Sequence, residues 1–344
     1  MKQIVECVPN FSEGKDQTII NEIAESIKRV KGVKLLSVEP DKDYNRCVVT
    51  FVGEPEAVRD AAFASTKKAA ELIDMQNHKG EHPRLGATDV VPFIPVSGVT
   101  MQDCVKLARE YGTRVASELN IPIYLYEEAA RMPERKNLAT IRKGEYEHLR
   151  EKLKDTVWKP DFGEPVFNAK SGATVTGARF FLIAYNVNLA TNNKDAAHEI
   201  ALRIRESGKT TKHPDGTKTT VPGSLKFVKA MGVLLERFNI AQVSINLTNY
   251  TVTPPHVAFE EVKKEAQSLG VEVTGSEIVG LIPKEALLMA GKFYATSNEP
   301  IPKPLPLQTK EGENEALIQT AIEKLGLSQL EPFNPQNKII EYMI

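Results

Sequence analysis

Apolar positions along the first part of the chain alternate between the period of a strand and that of a helix. Gln3 to Pro9 reads as a strand ending in the polar turn Asn10-Phe11-Ser12-Glu13-Gly14. Ile19, Ile20, Ile23, Ile27 and Val30 then share one helical face, with Gly32 just past the end, which predicts a helix over 16–30. Val33 to Glu39 and Cys47 to Val52 form a strand pair around the polar turn 40–45. Glu54-Pro55-Glu56 opens a helix, with proline in its first turn and acids at the positive end of the dipole, and it runs to Ile73. Val90 to Val96 is a strand. Thr100-Met101-Gln102-Asp103 has the form of a capping box and starts a helix to Leu119, followed by a strand from Ile121 to Tyr126.

Arg131 to Trp158 is charged and reads as mostly helical, with weak periodicity. Asp161 to Ala178 is rich in Gly, Ser and Thr and is the best candidate boundary. The order then restarts: a strand over 180–189, a helix over 194–206, paired strands over 225–236 and 241–247, a helix from Pro254 to Leu269, a strand over 271–279 and a helix from Pro283. Both halves read strand-helix-strand-strand-helix-strand, the split βαβ plan. The expected class is therefore α+β, with two tandem ferredoxin-like (βαββαβ-type) subdomains. The expected division is 1–177 and 178–300, followed by a Pro-rich spacer and tail over 301–344. A short helix, Leu317 to Leu325, and an apolar end from Lys338 fall in that tail.

Composition narrows the function classes more than the fold. The 344 residues are 41% hydrophobic and 26% charged, with a formal net charge of -1, so there is no global drive toward nucleic acid or anionic membrane. Aromatic residues are few and not interleaved with basic runs, which argues against a nucleic-acid platform. No run approaches the length of a membrane span. Cys7, Cys47 and Cys104 are widely spaced and odd in number, which fits a reducing, cytoplasmic setting rather than a disulfide scaffold. The first residues carry Glu6 within their apolar run and do not form a signal peptide.

The densest chemistry lies in Asn77-His78-Lys79-Gly80-Glu81-His82-Pro83-Arg84-Leu85-Gly86-Ala87-Thr88-Asp89. Its Gly and Pro content forbids a helix, so it reads as a fixed loop on the strand that follows. His82 can take and return a proton near neutral pH, or act as a structural hydrogen-bonding group. His78 and His82 are four positions apart but lie in a non-helical stretch without a third ligand, so no metal is expected. Glu39 and the turn 41–46 should neighbour this loop. A carboxylate there can orient an imidazole or hold a cationic group, or simply be solvated. Asn10, Asn45, Asn186 and Asn188 lie at or near strand ends, where amides suit a polar heterocycle or ordinary turns. The glycines between Gly163 and Gly177 lack P-loop and Rossmann spacing but allow close approach of a flat ligand. Arg46, Arg84, Lys79, Lys170 and Arg179 supply local positive charge for carboxylates.

Several of these stretches resemble the glutamate formimidoyltransferase family, the formiminotransferase part of formiminotransferase-cyclodeaminase. They are Val5-Glu6-Cys7-Val8-Pro9-Asn10-Phe11-Ser12-Glu13-Gly14, His78-Lys79-Gly80-Glu81-His82-Pro83-Arg84, Trp158-Lys159-Pro160-Asp161-Phe162-Gly163 and Gly172-Ala173-Thr174-Val175-Thr176-Gly177-Ala178-Arg179. The resemblance covers essentially the whole chain. It implies transfer of a formimino group from N-formimidoyl-L-glutamate to N5 of tetrahydrofolate, the co-substrate, within histidine degradation and without a metal. It also implies helices on the outer faces, a folate groove between the subdomains and a homodimer. His82 falls on the family's catalytic histidine. Gly163-Glu164-Pro165-Val166-Phe167-Asn168-Ala169-Lys170-Ser171-Gly172 falls on its folate segment. Asn10, Arg46, Lys79, Arg84, Arg179 and Asn188 are further candidate contacts. One departure is Glu39, where the family carries a shorter Asp. Formyl transfer from N-formylglutamate to give 5-formyltetrahydrofolate, or folate binding with little turnover, are the alternative readings. The chain is too short for a cyclodeaminase domain after the transferase, so a separate protein is expected to process the product.

Overall fold

The computed structural model describes residues 2–42, 44–80, 83–213, 215–296 and 310–343, the side chains of 310 and 311 excepted. The chain falls into two compact units, Met1–Arg179 and Phe180–Met343. The predicted Pro-rich spacer around 300–306 and the candidate catalytic His82 lie outside the described residues.

In the first unit, β1 (Ile4–Cys7) and β2 (Asn10–Phe11) are two segments of one interrupted strand. The chain continues through α1 (Gln17–Lys28), β3 (Val33–Asp41), β4 (Arg46–Gly53), α2 (Pro55–Leu72) and β5 (Thr88–Ser97). Both β1 and β2 lie between β4 and β5, and β3 pairs with β4, so the antiparallel order is β3-β4-β1-β5. That is the order of a ferredoxin-like fold. α3 (Met101–Leu119) then leads to β6 (Ile123–Glu127), and β7 (Thr174–Ala178) inserts in parallel between β5 and β6. The Gly/Ser/Thr-rich run read as the candidate boundary thus ends in an inner strand, whose hydroxyls on Thr174 and Thr176 bond the carbonyls of Thr88 and Val91.

Local signals behave as their chemistry dictates. Asp16 caps α1, and the Thr100–Asp103 box caps α3 reciprocally. α1, α2 and α3 cover one face of the sheet, packing Ile20, Ile23, Ile27, Phe51, Phe93 and Tyr111 into the main core. Full burial of side chains of this size contributes about 1.5–3 kcal/mol each.

The stretch from Arg131 to Trp158 differs from the sequence reading. It is helical only in pieces, chiefly α4 (Leu138–Arg142) and α5 (Leu149–Lys152). Gly144 and Glu145 both take left-handed backbone conformations, at φ 88° and 55°, which no helix accommodates. Its apolar residues Ile141, Leu149 and Leu153 cover the second face of the sheet over Tyr124, Tyr126 and Val175. Among the described residues, neither of these two buried clusters covers the β3-β4-β1 half of that face.

The second unit repeats the plan. Its strands are β8 (Ile183–Leu189), the hairpin β9 (Lys209–Lys212) and β10 (Lys218–Val221), β11 (Val228–Leu235), β12 (Ile240–Leu247) and β13 (Val273–Val279). α6 (Lys194–Ile204) and α7 (Pro255–Ser268) complete the ferredoxin-like order β11-β12-β8-β13, and the β9–β10 hairpin is an insertion. α8 (Lys284–Thr296) and α9 (Lys310–Lys324) pack together, and the end of the chain returns to this unit by pairing Ile339 with Ile282.

Candidate active site

The described residues on either side of 81 and 82 are held by their neighbours. On one side they meet the β3–β4 turn. Asn45, in the left-handed region at φ 48°, donates its amide to the Lys79 carbonyl at 2.8 Å, and its side-chain oxygen accepts the Gly14 N–H at 3.0 Å. The His78 ring nitrogen Nε2 reaches the Asn45 carbonyl at 3.0 Å. Gly80 lies so close to Tyr44 that an added Cβ would stand 2.4 Å from its carbonyl oxygen. The expectation that the 41–46 turn neighbours this loop holds.

The other root is tied to 168–173. Gly86 pairs with Gly172, the Ala87 N–H donates to Ser171 O at 2.9 Å and the Ala173 N–H to Leu85 O at 3.1 Å. Gly172 is left-handed at φ 66°, and a Cβ there would lie 2.1 Å from the Leu85 carbonyl, so only glycine permits this approach. Ser12 Oγ donates to Gly86 O at 2.8 Å. Asp89 accepts the Leu85 N–H at 2.9 Å through one oxygen and pairs with Arg142 through the other. Burial pushes the Asp89 carboxyl up, and Arg142 and the Leu85 N–H pull it back toward the charged form.

Arg84 is 5% exposed and forms an internal clamp. It donates twice to Glu147, at 2.6 and 2.8 Å, once to Glu145 at 3.0 Å, and through Nε to His78 Nδ1 at 3.2 Å. The fork geometry suits guanidinium and not an ammonium group. Its donors are thus directed to two carboxylates and the His78 ring. With Nδ1 accepting from Arg84, neutral His78 carries its proton on Nε2, toward the Asn45 carbonyl. Protonating Nδ1 would set N–H against N–H.

Burial holds the His78 pKa below its ordinary value, helped by Arg84 and opposed by the Asn45 carbonyl. A lowered folded value means that stability is present above the unfolded value near ~6.5 and is lost as pH falls through the folded one. His78→Gln is therefore expected to flatten the fall in melting temperature between about pH 7 and about pH 5. Parallel curves for variant and wild type would refute this role.

On the half-open sheet face, Asn10 Oδ1 accepts from Arg46 Nη1 at 3.2 Å. Val48 is the register partner of both Asn10 and Glu39, and Arg46 is two residues from Val48, so Glu39, Asn10 and Arg46 share this face. Glu39 is exposed there, as is Lys79 in the loop. A cavity of about 520 Å³ is lined by His78, Lys79, Gly80, Arg84, Glu145 and Glu147. Next to it, about 570 Å³ opens beside Pro83, Thr140, Arg142 and Lys143.

The segment 163–172 runs from the flank of α3 to the loop root. Gly163, Glu164, Val166 and Asn168 line a cavity of about 670 Å³ with Thr113, Ala116 and Asn120. Phe167 packs on Tyr146, whose hydroxyl donates to Ala169 O. Lys170 reaches back to the Glu71 carbonyl at 2.7 Å. Arg179, just after β7, is half-buried, and its guanidinium lies near the phenol of Tyr126. Asn188 is fully buried in the second unit, with its amide bonded to Gln329 and Gln242.

Sequence reasoning missed the anchors Glu145, Glu147, Tyr146 and the Asp89–Arg142 pair. Only Asp89, a lone acid heading an apolar strand, left a readable trace. Among the described residues no group of three or more His, Cys, Asp or Glu is arranged to hold a metal, and no helix is long and apolar enough to cross a membrane.

Fold and site together define an α+β protein of two ferredoxin-like units, with a histidine-bearing loop locked at both roots. Residues 4–179 match the N-terminal subdomain of the formiminotransferase domain, and residues 184–344 match the formiminotransferase domain itself. The chain belongs to the formiminotransferase family. It is 49% identical to a glutamate formimidoyltransferase of Thermoplasma acidophilum, over 86% of this chain and 93% of that protein. It is 45% identical to one of Streptococcus pyogenes serotype M1, over 86% and 94%. A formimidoyltransferase-cyclodeaminase of Dictyostelium discoideum is 50% identical over the whole chain, which spans 61% of that relative's length.

Proposed function

We propose that the protein transfers the formimino group of N-formimidoyl-L-glutamate to N5 of tetrahydrofolate, giving 5-formimidoyltetrahydrofolate and L-glutamate, as in histidine degradation. The observation that carries this reading is the loop 77–86, held by His78, Gly80, Leu85 and Gly86 on either side of position 82. N5 attacks the amidine carbon and loses a proton, and the departing glutamate nitrogen gains one. A single imidazole, His82, serves both transfers in turn. His78 is unsuited to this, because both of its ring nitrogens are engaged.

Glu39 is the carboxylate that orients His82 or faces the cationic formimino carbon. The Asn10–Arg46 pair offers amide and guanidinium groups to substrate, with Lys79 beside it, and the 163–172 segment carries folate. Binding both substrates side by side supplies much of the acceleration, because it replaces an encounter in solution. The three free thiols are buried, which fits a cytoplasmic setting, and a homodimer is the family's arrangement.

The test is an absorbance assay with tetrahydrofolate and N-formimidoyl-L-glutamate, run beside N-formylglutamate. Product is expected from the formimino donor. Product from the formyl donor alone would replace this reading with formyl transfer, and binding without product would leave a folate-binding protein.

A further inference from the structure

Gly144 and Glu145 are both left-handed, at φ 88° and 55°. For glutamate this conformation costs free energy, and such residues persist only where their surroundings hold them, often at functional sites. Here the Glu145 N–H donates to Arg142 O at 2.7 Å, and the Tyr146 N–H donates to Arg84 O at 2.9 Å. The bend brings Glu145 and Glu147 to the cavity of about 520 Å³ that His78, Lys79 and Arg84 also line. That volume lies within the range of small-molecule sites.

Charge is unevenly spread around this cavity. The Arg84 fork meets both oxygens of Glu147, at 2.6 and 2.8 Å, but only one oxygen of Glu145, Oε2 at 3.0 Å. Glu145 Oε1 makes no hydrogen bond among the described residues, and its side chain is 41% exposed. The hydrogen bond from Arg84 holds the Glu147 carboxyl below its ordinary value. Two carboxylates thus share one guanidinium, and the His78 ring beside them is neutral. The clamp keeps an excess of one negative charge. Lys79 lines the same cavity, is exposed, and makes no ion pair among the described residues. The cavity therefore offers an unshared carboxylate oxygen and an unshared ammonium group. That pairing suits a small ligand that is cationic at one end and anionic at the other.

We infer that Glu145 is a specificity-determining residue for the group donor: its unshared oxygen accepts from the terminal nitrogen of the formimino group, while Lys79 meets a donor carboxylate. A formimino group is an amidine, which at neutral pH is protonated and carries N–H donors. A formyl group in the same place is neutral and turns a carbonyl oxygen toward Glu145, acceptor against acceptor. The cavity selects the formimino donor by attracting it and by repelling its formyl counterpart. Glu147, with both oxygens on Arg84, holds the clamp from which Glu145 is presented. The identity of the cation as a formimino group rests on the transfer reaction proposed above.

Titration calorimetry on the full chain tests it with two ligands, N-formimidoyl-L-glutamate and N-formyl-L-glutamate. Glu145→Gln keeps an oxygen for Arg84 and removes only the charge. It is expected to weaken the formimino ligand by about ten- to a hundredfold, the loss of one charge-assisted hydrogen bond, while affinity for the formyl ligand holds or rises. Lys79→Ala is expected to weaken both ligands alike, because both carry carboxylates. In steady state the KM for the formimino donor should rise in Glu145→Gln more than kcat falls. Equal weakening of both ligands by Glu145→Gln would overturn the proposal, because a displaced loop would do the same. Unchanged affinity for the formimino ligand in that variant would also overturn it, even with product still formed. A wild type that prefers the formimino ligand through Glu145 but forms no product would sink the transfer reaction and leave this site standing.

Discussion

His82→Ala is expected to lower kcat by about 10²–10⁴-fold, the usual contribution of a positioned acid–base group. Its KM values and melting temperature should change little. The reason is that the loop is held by its flanks: by Asn45 through His78 and Lys79, by Glu145 and Glu147 through Arg84, and by Asp89 and Gly172 through Leu85 and Gly86. None of these bonds needs the residue at position 82. The acid limb of the wild-type kcat/KM profile should vanish in the variant. Steady-state rates with both substrates, together with a thermal melt, check both halves. Full activity in the variant would remove His82 from the chemistry. A large fall in melting temperature would mean that the residue is structural.

Where interactions are local, the sequence reading and the structure agree. The apolar face of α1, the Thr100–Asp103 box and the repeated split βαβ order all follow from spacings within one element or between neighbours. The anchored loop was also legible, because Gly and Pro exclude a helix whatever lies around them. What was not legible depends on residues distant in sequence. Arg84 reads as a free cation until Glu145 and Glu147, about sixty residues on, arrive beside it. Two histidines four residues apart look equivalent until His78 is seen to be held at both nitrogens. Asn188 sits near a strand end in sequence, yet its strand lies inside a sheet with partners on both sides. Pairs of this kind leave no periodic trace. The 131–158 region was misread because its two left-handed residues, Gly144 and Glu145, interrupt a composition that otherwise favours helix.

The Asp89–Arg142 pair separates stability from positioning. Asp89→Asn keeps an oxygen for the Leu85 N–H but turns an amide toward Arg142, leaving a mostly buried guanidinium without its countercharge. Breaking such a pair from one side costs about 3 kcal/mol at the lower end of the usual range, since Arg142 keeps some exposure. In a unit of this size that is a fall of roughly 6–12 °C in melting temperature. Replacing both partners, as in Asp89→Leu with Arg142→Leu, removes the stranded charge and should recover part of the loss. Recovery stays incomplete, because the buried Leu85 N–H then lacks its acceptor, at about 1–3 kcal/mol. Activity should follow the Leu85 anchor and not the melting temperature. The double variant is therefore expected to be more stable than Asp89→Asn and yet less active, because only Asp89→Asn still holds Leu85 at the root of the loop. Melts and single-substrate-saturated rates on the three proteins decide the matter. A double variant as active as wild type would show that the pair stabilises the unit without aiming the loop.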